Sequence, residues 1–201
     1  LKEGDINNNF ESVLLKSQNV FSEIAITPLG KIYATFNKNG TTQGGIFVSD
    51  NGDTWTNITP TDLSTATYGR TMIAIDPQNE NTVWFFSVNT SNNQGYLWRY
   101  QADATAGTEW TNRTSGLPNT LGGLGWLNLQ TGFNMMVKVH PTDSDIVFVG
   151  GTNLHRSTNG FTTMQGNSGW IGGYSKSSGP EKYLNHHPDQ HNLVFLPSNP
   201  S

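Results

Sequence analysis

Cysteine is absent from the 201 residues, which excludes a disulfide scaffold, a thiolate zinc site and a cysteine nucleophile. Charge is scarce too. Only 13% of residues are charged, 11 basic and 15 acidic, for a formal net charge of −4. The basic residues are scattered and form no stripe able to follow phosphates, so no nucleic-acid partner is expected. No apolar run approaches the ~20 residues that cross a bilayer, and no transmembrane segment is expected. The chain opens Leu1-Lys2-Glu3-Gly4-Asp5, with neither an initiator Met nor an apolar leader core. A mature or internal part of a longer polypeptide is the expectation.

Asn, Thr, Ser and Gly fill the gap, and these favour turns, loops and exposed strand faces. Aromatic residues, at 11%, supply enough large apolar surface for a folded core. Lys and Glu, strong helix formers, are few. The balance predicts an all-β protein without a helix of consequence.

One outline recurs along the chain: a short apolar strand, a turn with Pro, and a second apolar strand. It appears at Ile24–Pro28 with Ile32–Thr35, at Ile73–Pro77 with Val83–Phe86, and at Val137–Pro141 with Ile146–Val149. A fourth copy begins at Leu193–Pro197. Prolines 28, 77, 141 and 197 stand 49, 64 and 56 residues apart, near the ~40–50 residues of a four-stranded propeller blade. Proline cannot donate to a ladder and belongs where pairing stops. Third and fourth strands follow at 45–48 and 54–58, and at 96–100 and 109–113. In the third unit only the third strand, at 153–157, reads clearly. The expected architecture is a β-propeller fragment of about three four-stranded blades plus the start of another. Residues 1–17 read as a connection from an upstream segment, and 18–201 as the partial propeller. Its blades lie roughly at 20–60, 68–115 and 133–175, with the next beginning about 187.

Between the third and fourth strands of the first unit stands Val48-Ser49-Asp50-Asn51-Gly52-Asp53-Thr54-Trp55. It resembles the Asp box, Ser/Thr-x-Asp-x-Gly-x-Thr-Trp, with Val48 departing at the first position. Here Asp50 is expected to accept the turn's amides, Gly52 to supply a positive φ, Thr54 to complete the motif, and Trp55 to pack into the core. A degenerate copy runs Arg156-Ser157-Thr158-Asn159-Gly160-Phe161-Thr162-Thr163. With Gly125–Leu129, Val139-His140-Pro141, Gly150–Ser157 and His187–His191, the set resembles bacterial BNR-repeat (Asp-box) propellers. That group is related to sortilin-type propellers and xyloglucan-cleaving hydrolases. The resemblance implies a large exported protein of the cell surface or medium, often a type IX secretion substrate. An Asp box holds a hairpin and leaves function open.

Each chemistry-bearing residue also has a structural role open to it. On an extended strand, His187, Asp189 and His191 would share a face, a ligand set for zinc or iron. A hydrogen-bonded polar cluster is the preferred reading, because a functional metal site brings further ligands from elsewhere. No metal or other cofactor is expected. Trp126, Trp170 and Tyr174 lie among glycines in segments read as loops, where exposed rings would contact a glycan or protein ligand. The alternative is that they fold back over the blades. Glycoside hydrolysis needs two opposed carboxyl groups; Asp76, Asp143, Asp145, Glu181 and Asp189 are of the right type, but no pair is singled out and catalytic residues stay unassigned. With Arg70, Arg99, Arg113 and Arg156 the only arginines, a sialidase cluster is not expected.

The leading expectation is a non-catalytic binding, adhesion or scaffold module of a secreted or cell-surface bacterial protein. A glycoside hydrolase acting on polysaccharide is the alternative. The remaining blades are expected from the same longer polypeptide or from partner chains.

Overall fold

The computed structural model describes residues 22–38, 44–119, 127–165, 169–174 and 187–196. The expected connection at 1–17, Trp126 and Glu181 lie outside them. Among the described residues, twelve strands form three four-stranded antiparallel sheets, and the all-β expectation holds. The first comprises β1 (Ser22–Ile26), β2 (Ile32–Phe36), β3 (Gly45–Ser49) and β4 (Thr56–Asn57). The second holds β5 (Tyr68–Asp76), β6 (Asn79–Asn89), β7 (Gly95–Gln101) and β8 (Trp110–Asn112). The third holds β9 (Met136–His140), β10 (Asp143–Gly150), β11 (Leu154–Ser157) and β12 (Trp170–Gly172). Each is a simple meander, with strands side by side in sequence order.

The prolines do what their chemistry demands. Pro28, Pro77 and Pro141 each stand in the turn after the first strand of a sheet. An apolar pair stands two residues before each proline: Ile26 faces Ile32 in a regular ladder, while Ile75 faces Val83 and Val139 faces Val147 beside a register shift at the turn. A four-residue helix, α1 (Thr61–Ser64), connects the first two sheets and buries Leu63.

The apolar run in β6 has a direct cause. Side chains alternate across a strand, and the second sheet is covered on both faces. Val83 and Phe85 join Tyr33, Ile46, Tyr68 and Trp98 in a cluster toward the first sheet. Trp84, Phe86 and Val88 join Val137, Val147 and Val149 toward the third. β5 adjoins both β1 and β9, so the first strands of the three sheets form one inner edge. This is the stacking of propeller blades about an axis.

Two expectations change. The fourth strand of the third unit is real: β12 pairs with β11, Leu154 opposite Gly172 and His155 opposite Trp170. Trp170 is therefore a strand residue rather than part of a loop. Of the predicted strand at 193–196, residues 193–195 carry no strand pairing and Leu196 makes a single β-bridge. Phe195 instead sets its ring against His140 and Phe148 of the third sheet, with centroids 5.2 and 5.6 Å away.

Candidate functional site

The hairpin turns fix the loops that they close. In the first, Ser49 Oγ accepts the amides of Asn51 (3.3 Å) and Gly52 (2.8 Å) and donates to Asn51 Oδ1. Asn51 Oδ1 also accepts the amides of Asp53 (2.9 Å) and Thr54 (3.0 Å) and the Thr54 hydroxyl. Gly52 has the expected positive φ, 80°. Asp50 does not take the turn's amides, because Ser49 and Asn51 already do. Its carboxylate lies at the surface, 3.1 Å from Lys31 Nζ. Trp55 is half-buried outside both core clusters and donates from Nε1 to the Gly52 carbonyl at 3.0 Å.

The degenerate copy uses the same device. Ser157 Oγ accepts the amides of Asn159 (3.2 Å) and Phe161 (2.8 Å) and donates to Asn159 Oδ1. Thr158, at the Asp position, is exposed and costs the turn nothing. Phe161, rather than the eighth residue of the motif, enters the core.

The His187–His191 segment belongs to a polar knot at one end of the third sheet. Leu127 and Leu129 are buried, and the Thr152 amide donates to the carbonyls of Leu127 and Asn128, each at 2.9 Å. The chain then turns through left-handed backbone: Asn128 (φ 35°), Gln130 (44°), Thr131 (56°) and Gly132 (100°). Asn93 braces this turn, its side chain accepting the Thr131 amide at 2.7 Å. Residues 187–190 return along the same edge, with the amides of Asp189 and Gln190 donating to the Thr152 and Gly151 carbonyls.

Asp189 also has positive φ, 73°. The segment is therefore not extended, and His187, Asp189 and His191 do not share a strand face. Asp189 Oδ1 accepts from Asn134 Nδ2 at 2.7 Å and from Gln130 Nε2 at 3.0 Å. Asn134 is fully buried. His191 is exposed and lies edge-on to Phe133, with centroids 5.1 Å apart and planes at 90°. Phe133 is 63% exposed. Among the described residues no three His, Cys, Asp or Glu side chains are placed to hold a metal ion.

Of the aromatic residues singled out from sequence, Trp170 and Tyr174 are less open than expected, and Trp126 lies outside the described residues. Trp170 is half-buried with its indole nitrogen inside the protein. Tyr174 is half-buried, and its amide donates to Asn153 Oδ1 at 2.6 Å. Among the described residues Phe133 is the Phe, Tyr or Trp with a mostly exposed ring, and it does not stand out in the sequence. The available signal was Asn128 and Gly132, residue types that accept left-handed backbone, whereas nothing in the types of Gln130 and Thr131 announces it.

Of the carboxylates, Asp76 is buried and accepts the Gln78 amide at 2.9 Å, while Asp143 accepts the Asp145 amide at 3.0 Å. Both serve their own turns. Glu23, on the inner edge, lies 3.7 Å from Arg70. Burial pushes its carboxyl above the ordinary range, against the opposing pull of Arg70 and Lys138.

No protein-family model and no curated protein sequence matches the chain. Among solved structures, it is similar to the GH74 xyloglucanase of Xanthomonas campestris, at 16% identity and a TM-score of 0.48, over 68% of this chain and 20% of that one. It is also similar to a GH74 enzyme of Niastella koreensis, at 20% identity and a TM-score of 0.47, over 81% of this chain and 24% of that one. The chain thus spans about a fifth to a quarter of the length of those enzymes. Among the described residues, no helix is long and apolar enough to cross a membrane.

Proposed function

We propose that this chain is a propeller segment of a large exported bacterial protein that binds a glycan or a protein at the cell surface without cleaving it. The observation that carries this reading is the polar knot. Four non-glycine residues, Asn128, Gln130, Thr131 and Asp189, hold left-handed backbone around one carboxylate. Each such residue costs on the order of 1–3 kcal/mol, and strain of this kind gathers at ligand sites. A rigid sheet presenting loops at its end is how binding surfaces are commonly built.

A glycoside hydrolase is the second reading, favoured by Glu23. Burial raises its carboxyl pKa, the direction a general acid requires, beside the Arg70 guanidinium 3.7 Å away.

The test is to pass the full-length protein over immobilised xyloglucan, β-glucan and mannan while assaying released reducing ends. Retention without release is the expected result. Release of reducing ends would transfer the reading to hydrolysis, and neither retention nor release would leave a protein partner as the ligand.

A further inference from the structure

We infer that Phe133, His191 and Asp189 form a saccharide-binding platform, the ring of Phe133 stacking on a neutral pyranose and Asp189 accepting one of its hydroxyls. This deepens the glycan-binding reading and rests on it. Phe133 presents a mostly exposed ring, and the edge-on imidazole of His191 fixes that ring from one side. It follows directly on the left-handed turn through Gln130, Thr131 and Gly132, so the same strained backbone that fixes Gln130 also projects the ring. A ring fixed in this way loses little freedom when a ligand docks.

Asp189 supplies the polar half. Both side-chain amides that reach it donate to Oδ1, which leaves Oδ2 unengaged on a half-exposed side chain. Gln130 and Asn134 therefore position the carboxylate while one oxygen stays available as an acceptor. The left-handed φ of Asp189 and the two amide-to-carbonyl bonds of Asp189 and Gln190 hold this segment against the Gly151–Thr152 backbone.

The ligand class follows from the pairing of an aromatic face with a charged acceptor. A pyranose has an apolar C–H face to lay on the ring and a rim of hydroxyl donors to meet the carboxylate. An anionic sugar would be repelled by Asp189, so a neutral one is the fit. A protein partner anchored here would be expected to bury a wider apolar surface around Phe133, whereas the His191 ring lies against it and the polar Gln130 and Thr131 precede it in the same turn.

The test uses the full chain and three probes, cellohexaose, mannohexaose and a xyloglucan oligosaccharide, in calorimetric titrations. At least one is expected to bind. Phe133→Ala should weaken it about three- to tenfold, the loss of one aromatic stack, while Phe133→Trp retains it and shows a shift of indole emission on titration. Asp189→Asn should weaken it about tenfold, because Oδ1 still receives Gln130 and Asn134 while the free acceptor becomes a donor. Leu29→Ser, at an exposed leucine in the first sheet's turn, should leave binding unchanged, and thermal melts confirm that each variant is folded. Binding that is unaffected by Phe133→Ala and Asp189→Asn overturns the platform but leaves glycan binding standing. Failure of the wild-type chain to bind all three sugars overturns both.

Discussion

At the residue scale, the hairpin turns rest on a serine and an asparagine rather than on an aspartate. Ser49 and Ser157 are buried, and each accepts two backbone amides. Replacing either by Ala leaves those donors unmet and should cost about 1–2 kcal/mol, read from urea unfolding. Asp50→Ala removes only a surface ion pair and should change stability by less than about 0.5 kcal/mol. A larger loss at Asp50 than at Ser49 would contradict the assignment. Glu23 gives a second prediction. Its folded pKa lies above the ordinary 4.5 because burial disfavours the charge. The native state then holds the proton more tightly than the unfolded chain, so stability contributed by Glu23 is full below pH 4.5 and is lost as pH rises through the folded value. Glu23→Gln should flatten that decline. Parallel falls in melting temperature from pH 4.5 to 7 in both proteins would count against it.

At the element scale, the strands were the most legible feature, because their cause is local. Val83-Trp84-Phe85-Phe86 is apolar on both faces since β6 has a sheet on either side, and a proline marks the turn that precedes each strand of its kind. β12 was hard to read: Trp170–Gly172 is three residues long and set among glycines, so pairing to β11 defines it rather than composition. The apolar run at 193–195 misled in the opposite direction, because an apolar segment can pack by a ring, as Phe195 does, without joining a ladder. The candidate site was less legible still. It depends on backbone sign at Gln130, Thr131 and Asp189, which residue type permits but does not dictate, and on the meeting of segments 59 residues apart at Gln130 and Asp189. Packing between elements yields a further prediction. A Cβ on Gly116 would collide with the Phe161 carbonyl oxygen, and both are backbone positions that cannot simply rotate away. Gly116→Ala should therefore destabilise by about 1–3 kcal/mol in urea titrations; a neutral effect would show that the Thr114–Gly116 turn does not pack on the second hairpin.

At the scale of the whole molecule, the three sheets stack from β1 through β5 to β9, and among the described residues no element covers the outer face of the first sheet. Ile24 and Ile26 lie on one face of β1 and are 64% and 61% exposed. Exposed apolar strand faces beside unpaired edges promote association. The 201-residue chain alone should therefore self-associate and bind an apolar dye, and Ile24→Thr with Ile26→Thr should suppress both. A monomeric, dye-silent parent chain would show that this face needs no cover. The same reasoning underlies the proposal that the chain works as part of a larger propeller at the cell surface. The most direct measurement is the intact mass of the protein recovered from its source cells, fraction by fraction, with peptide mapping of the species that contains these residues. A protein far heavier than 22.0 kDa, found in the envelope or medium and carrying further strand-Pro-strand repeats, is the expected result. A species of 22.0 kDa confined to the cytoplasm would contradict it.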